Sequence, residues 1–202
     1  PFPLHLSFTW GDSQRILRWE KLMQEREVHT RESFIEAQLD PVSITARTLL
    51  PLVAADLWYA PGAAPEGSRE RLRKRALDML ANWNGEMSEH LPEPLIYSAW
   101  MRTLQDRLIR DELGPLAQEF TNVDPLFIER VFRNVDGAGV WCDVVQSGVR
   151  ETCTGVARDA LDEALLWIAE NHGGALESLR WGDAHEATHD HAVLGNVPFL
   201  QW

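Results

Sequence analysis

Long apolar runs are missing from this 202-residue chain. No stretch approaches the roughly twenty apolar residues that a membrane-spanning helix needs, and no charged-then-apolar leader ending in small residues opens it. Positive charge is also scarce. Nineteen basic against thirty-one acidic residues leave a net charge of −12, which repels phosphate backbones and anionic membranes, so neither nucleic acid nor a membrane is expected as a partner. The one basic run, residues 69–75, is interleaved with Glu70 and Leu72 at helical spacing and reads as a solvated helix face. Ser-x-x-Lys and G-x-S-x-G nucleophile patterns are absent, as is a glycine-rich phosphate loop. The two cysteines, Cys142 and Cys153, are too few for an all-cysteine zinc site.

What is present is an ordinary globular composition, 45% hydrophobic and 25% charged, with nine tryptophans that are expected mostly in the packed interior. The pattern is almost entirely helical. Ser13 opens a helix through about Gln24 with Ile16, Leu17, Trp19, Leu22 and Met23 on its apolar side, and Thr30 caps the next, short one. Asp40-Pro41 reads as a cap followed by proline at the first helical position, starting a helix that Pro51 bends or interrupts. After a loop at 60–67, Ser68 opens an amphipathic helix carrying Leu72, Ala76, Met79, Leu80 and Trp83, which Gly85 ends. A long helix over 94–113 stops at Gly114-Pro115, Asp124-Pro125 starts another through about Asn134, and the last spans 149–171 before Gly173-Gly174. Residues 1–9 and 197–200 read as short extended segments, and nothing in composition marks a second domain. The expectation is a mainly α, multi-helix unit in which residues 1–202 form a single helical domain.

The polar loop between the cysteines, with Asp143, Gln146, Ser147 and Gly148, can bring the thiols together. Two free buried thiols are the alternative. A disulfide is the expected pairing, and it points to an oxidising compartment.

The densest chemistry lies at His185-Glu186-Ala187-Thr188-His189. This is H-E-x-x-H, which on a helix places two imidazoles one turn apart beside a glutamate that activates a zinc-bound water. The segment has almost no apolar residue to anchor such a helix, and the following His191 does not share its face. A zinc hydrolase is therefore the lesser reading, and no metal ligand is assigned.

The same stretch supports another interpretation. Trp181-Gly182-Asp183-Ala184-His185, with His191 six residues further on and Val197-Pro198-Phe199-Leu200 after it, resembles a motif of the penicillin acylase family of N-terminal nucleophile hydrolases. Four other segments agree in order. Trp10 to Arg15-Ile16 resembles the family's W-x4-R-I entry into a helix, and Gln38-Leu39-Asp40-Pro41-Val42-Ser43 its Q-x-D-x-x-S helix start. Asn82-Trp83-Asn84-Gly85 resembles its W-[DN]-G turn. Trp141-Cys142-Asp143 with Glu151-Thr152-Cys153 resembles the paired cysteines of some bacterial members.

The resemblance implies that the chain is the helical part of a β subunit, packed beside the stacked sheets of an αββα core. It implies hydrolysis of linear amides by an N-terminal Ser, Thr or Cys made by self-cleavage of a zymogen, with its own α-amino group as base. This sequence begins with Pro1 and ends at Gln201-Trp202, which reads as a piece of a longer precursor. The nucleophile and the oxyanion-hole asparagine are then expected outside it, and the fragment alone is expected to be inactive. Arg15 is the one position resembling part of the catalytic neighbourhood, as a guanidinium that offsets developing negative charge. Trp181, Gly182, His185 and His191 are implied to hold the turn that enters the sheet. No cofactor is implied for catalysis. Relatives bind a structural calcium, but Leu4 and its neighbours offer no carboxylate for it. The implied partners are the α subunit and the rest of the β subunit, and the substrate a small N-acyl compound such as a β-lactam or an acyl-homoserine lactone. The implied location is periplasmic or secreted. A helical structural or partner-binding domain without catalysis is the alternative.

Overall fold

A computed structural model describes residues 13–58 and 64–186. The extended segments expected at 1–9 and 197–200 lie outside these. The protein is mainly α-helical: α1 (Gln14–Gln24), α2 (Arg31–Gln38), α3 (Ile44–Val53), α4 (Arg69–Asn82), α5 (Glu93–Leu113), α6 (Pro125–Phe132) and α7 (Cys153–His172). Short 3-10 turns occupy Gly114–Glu119, Val135–Cys142, Leu176–Ser178 and Trp181–Asp183. Among the described residues the only pairing of extended chain is an antiparallel bridge between Val42 and Glu86.

Side-chain caps fix most of the helix starts by satisfying backbone N–H groups that have no intrahelical partner. Thr30 accepts from the N–H of Ser33 while Ser33 Oγ accepts from the N–H of Thr30, a reciprocal capping box. Ser68 accepts from Arg71, Asp124 from both Leu126 and Phe127, and Thr152 from Gly155. Ser13, expected to cap α1, stands at its start but makes no side-chain cap bond, and two other starts differ from expectation in position. The cap of α3 is Ser43, which accepts from Ala46 at 3.1 Å, because the chain just before it is held extended. Met87 donates to the carbonyl of Pro41 at 2.9 Å and Ser43 donates to that of Gly85 at 2.8 Å, so Asp40-Pro41 cannot enter a helix. The last helix, expected from 149, begins at Cys153, because residues 143–151 close a loop of their own. Val144 donates to the Glu151 carboxylate at 3.0 Å, and Glu151 N–H donates to Asp143 at 3.2 Å. A Cys142–Cys153 disulfide, with Cα atoms 5.0 Å apart, clamps the base of that loop.

Helix α5 runs through the middle of the core. Leu95, Ile96, Ala99, Trp100, Met101, Leu104, Leu108 and Ile109 are all buried and spread around more than one face, as an enclosed helix requires. It packs most extensively on α7, where Val156, Ala157, Ala160, Leu161, Ala164, Leu165 and Ile168 are buried. The contact is locked by Trp100, fully buried, whose indole donates to the carbonyl of Ala157 at 2.9 Å. One buried polar side chain sets the route of the chain after α5. Gln105 donates to the carbonyls of Phe120 (3.3 Å) and Asn122 (2.8 Å) and accepts from the N–H of Asp124 (2.5 Å), so its amide is satisfied and the approach to α6 is fixed.

The basic run of α4 is largely the solvated face its spacing suggests, with Arg69, Arg71 and Arg75 exposed, but several of its charges are paired. Arg73 pairs with Asp162 of α7 at 2.7 Å and Arg75 with Glu177, while Lys74 pairs within α4 with Asp78. From α5, Arg107 reaches Glu163 of α7 at 2.8 Å. Helices α1 and α2 are exceptions to core packing: α1 contributes no buried side chain and α2 only Ser33, while Ile16, Leu17, Trp19, Phe34 and Ile35 are exposed.

Candidate functional site

Three of the motif segments, around residues 40–43, 82–85 and 181–185, gather near the start of α5. Asn84-Gly85 forms a tight turn in which Gly85 has φ +85°. A β-carbon there would sit 3.1 Å from both the Ser43 carbonyl oxygen and Arg47 Cγ, so the position excludes a side chain on two counts. Arg47 donates to the Asn84 carbonyl at 2.6 Å, tying the turn to α3. Trp83 donates its indole N–H to the carbonyl of Glu86 at 2.9 Å and packs its ring on Tyr97 of α5, centroids 5.6 Å apart. Burial of Tyr97 pushes its phenol above the ordinary value, so it stays protonated.

On the other side of the α5 start, the Trp181-Gly182 turn docks on the loop that precedes the helix. Trp181 N–H donates to the carbonyl of Leu91 at 3.0 Å and Gly182 N–H to that of Glu89 at 2.9 Å. At Gly182 a β-carbon would lie 3.1 Å from Glu89 Cβ, which explains the small residue. His185 is exposed, stacks on Trp181 with ring centroids 4.6 Å apart, and donates its backbone N–H to the Trp181 carbonyl at 2.9 Å. His185 and Glu186 therefore follow a 3-10 turn and are not helical, unlike the pair a zinc-protease helix would present. His189 and His191 lie outside the described residues. Among those described, no group of three or more His, Cys, Asp and Glu side chains stands where it could hold a metal ion.

Beside the Trp181 turn lies an open cleft of about 520 Å³, whose walls include Ser43, Ser98, Arg102, Asn122, Trp181 and His185. The serine of the Q-x-D-x-x-S segment and the Trp and His of the W-G-x-x-H segment thus face one cavity.

Arg15 lies on a different part of the framework, exposed on α1, which packs on α3. The residue that sequence reasoning passed over is Arg18, one turn further along. Its guanidinium grips the Asp40 carboxylate with two bonds, Nε to Oδ2 at 2.8 Å and a terminal nitrogen to Oδ1 at 2.5 Å. Asp40 Oδ2 also accepts from Val42 N–H at 3.3 Å. The hydrogen bond from Arg18 is the main reason that the Asp40 carboxyl is held below the usual aspartate value. The signal available was the aspartate of Q-x-D, which local reasoning assigned to a helix cap.

Comparison with known proteins extends the pattern beyond single motifs. The family model described as penicillin amidase matches residues 1–201. The acyl-homoserine lactone acylase QuiP of Pseudomonas aeruginosa is 30% identical over 115 residues, which make up 54% of this chain and 14% of that protein. The chain thus aligns with a small part of that relative's length.

Proposed function

The chain belongs to the penicillin amidase family, and on that premise we propose that it is the helical part of the β subunit of an acylase that hydrolyses linear amides. The observation that carries this reading is the family match over nearly the whole sequence; the acylase named above supports it over about half. Residues 1–202 act in it as one helical domain, whose partners are the α subunit and the remainder of the β subunit. The enzyme matures by self-cleavage of a precursor, which exposes an N-terminal Ser, Thr or Cys lying outside this chain.

In that reaction the N-terminal hydroxyl or thiol attacks the amide carbonyl while its own α-amino group takes the proton. The tetrahedral oxyanion is stabilised by donors aimed where charge develops. The amine leaves with the proton, and water then releases the carboxylic acid from the acyl-enzyme. Arg15 supports this chemistry from α1 by orienting the oxyanion-hole asparagine and offsetting the developing charge, a task that suits a permanently charged planar group. Trp181, Gly182, His185 and His191 hold the turn leading back to the catalytic core. The reaction needs no cofactor, and no calcium ligand is assigned to this chain.

The substrates are N-acyl compounds of the kinds handled by such acylases: aromatic acetyl or dicarboxylic acyl groups on β-lactam nuclei, or fatty acyl chains on homoserine lactones. The disulfide between Cys142 and Cys153 supports an oxidising location, periplasmic or secreted. The test uses the processed whole protein with phenylacetyl, glutaryl and decanoyl para-nitroanilides. At least one should release nitroaniline, and replacing the N-terminal nucleophile by alanine should abolish it. No release from any of the three by fully processed protein would contradict the reading.

A further inference from the structure

Helix α1 presents an unusual mechanical problem. It carries the supporting arginine, Arg15, yet it has no buried side chain with which to hold a fixed orientation. Two of its polar attachments lie on the side facing α3, and another is at its far end, where His29 Nε2 donates to the Met23 carbonyl at 2.9 Å. Arg18 binds Asp40 through two parallel bonds, and Thr48 of α3 donates to Gln14 at 3.3 Å. The Arg18 and Asp40 side chains are only 15% and 14% exposed, so this pair is shielded about as well as Arg73–Asp162 between α4 and α7, and far better than Lys74–Asp78.

Asp40 is itself a fixed point. Its carboxylate accepts from Val42 N–H, and the three residues after it are pinned to the Asn84-Gly85 turn through Met87 N–H to Pro41 and Ser43 N–H to Gly85. That turn is in turn held by Arg47. A rigid line of contacts therefore leads from the W-N-G turn through Asp40 to Arg18. From Arg18 to Arg15 is three residues along α1, so the two side chains emerge about 60° apart around the helix axis.

A guanidinium gripped at two nitrogens by one carboxylate cannot swivel as a singly bonded group can. The pair therefore restrains rotation of α1 about its own axis, the coordinate that decides where Arg15 points. Rotation by about 20° moves a group roughly 6 Å from the axis by about 2 Å, a displacement large enough to cost orders of magnitude in rate when the group acts on a transition state.

We propose that Arg18 and Asp40 are positioning residues of the acylase, a two-pronged strut that fixes the rotation of α1 and so aims Arg15 at the reacting centre. This rests on the reading of Arg15 given above. The experiment uses the whole processed enzyme, with active sites counted by burst titration, and measures kcat and KM on whichever para-nitroanilide of the panel is turned over fastest. The variants are Arg15→Ala, Asp40→Asn, Arg18→Lys, the double Arg15→Ala/Asp40→Asn, and the exchange Arg18→Asp/Asp40→Arg.

Arg15→Ala should lower kcat by about 10²-fold with KM little changed. Asp40→Asn and Arg18→Lys should each lower kcat by about tenfold at constant KM, Arg18→Lys doing so with its charge retained, and the exchange should recover part of the loss. The decisive result is the double variant, which should be no slower than Arg15→Ala alone, since the strut acts through Arg15. An Asp40→Asn loss that persists undiminished in the Arg15→Ala background, or appears only in KM, would overturn the proposal while leaving the role of Arg15 intact. Normal kcat in Arg15→Ala would overturn that role, and the strut's with it. Should Asp40→Asn fail to mature, Arg18→Lys alone, compared with and without Arg15→Ala, decides between the same outcomes.

Discussion

Asp40 shows how much one side chain can decide without leaving a local trace. Its carboxyl is held low chiefly by the hydrogen bond from Arg18, against a smaller opposing effect of burial. The sign follows directly. A carboxyl whose folded value lies below its unfolded value, here the ordinary 3.8, contributes stability that is complete above that ordinary value and is lost as pH falls through the folded one. Acidification below about pH 3.8 should therefore loosen α1 first, read as faster amide exchange over residues 14–24 in the whole protein. Asp40→Asn should already show that loosening at neutral pH and gain little more in acid. Equal protection of α1 in both proteins at pH 7 would contradict this. Among single residues, Gly85, read as the stop of α4, sits in the turn beyond a helix that already ends at Asn82, whereas Ser68 and Thr30 were legible as caps, since each acts on its immediate neighbours. Asp40 was not, because its partner is 22 residues away and because Asp followed by Pro mimics a helix start.

At the scale of elements, the helices were legible from apolar spacing, and their exact starts were not. The reason is the same at α3 and α7. In both, residues that local signals place inside the helix are held outside it by contacts made elsewhere: Pro41 and Ser43 by the 85–87 turn, and residues 149–151 by the loop that the disulfide closes. That loop also receives support from the end of α5, where Val145 N–H donates to Asp111 at 2.7 Å and the Gln146 amide donates to the Asp111 carbonyl at 3.1 Å. Cross-linking Cys142 to Cys153 removes closure entropy of a short loop from the unfolded chain, worth roughly 2–3 kcal/mol. Replacing both cysteines by serine should lower exchange protection of residues 135–156 by about that amount and leave the N-terminal half of α5 largely unaffected. Unchanged protection at the α7 start would show that the polar contacts of the loop suffice without the cross-link.

For the whole molecule, three of the sequence motifs converge in space. The Asn84-Gly85 turn and the Trp181-Gly182 turn brace the two sides of the α5 start, and Ser43 and His185 line the same cleft. This convergence could not be read from spacing alone, because the contacts that make it join residues far apart in sequence, such as Ser43 to Gly85 and Trp181 to Leu91. What was legible was the order of the motifs along the chain, which is the property that the family match over residues 1–201 also reflects. On the function proposed above, this helical unit serves an amide hydrolase whose nucleophile is freed by self-cleavage. The most direct test is the intact mass of the whole gene product before and after incubation, with N-terminal sequencing of each fragment. Cleavage should leave a Ser, Thr or Cys as the new N-terminus of the fragment carrying this chain; a product that remains a single uncleaved polypeptide, or is cut only at Pro1, would contradict the proposed function.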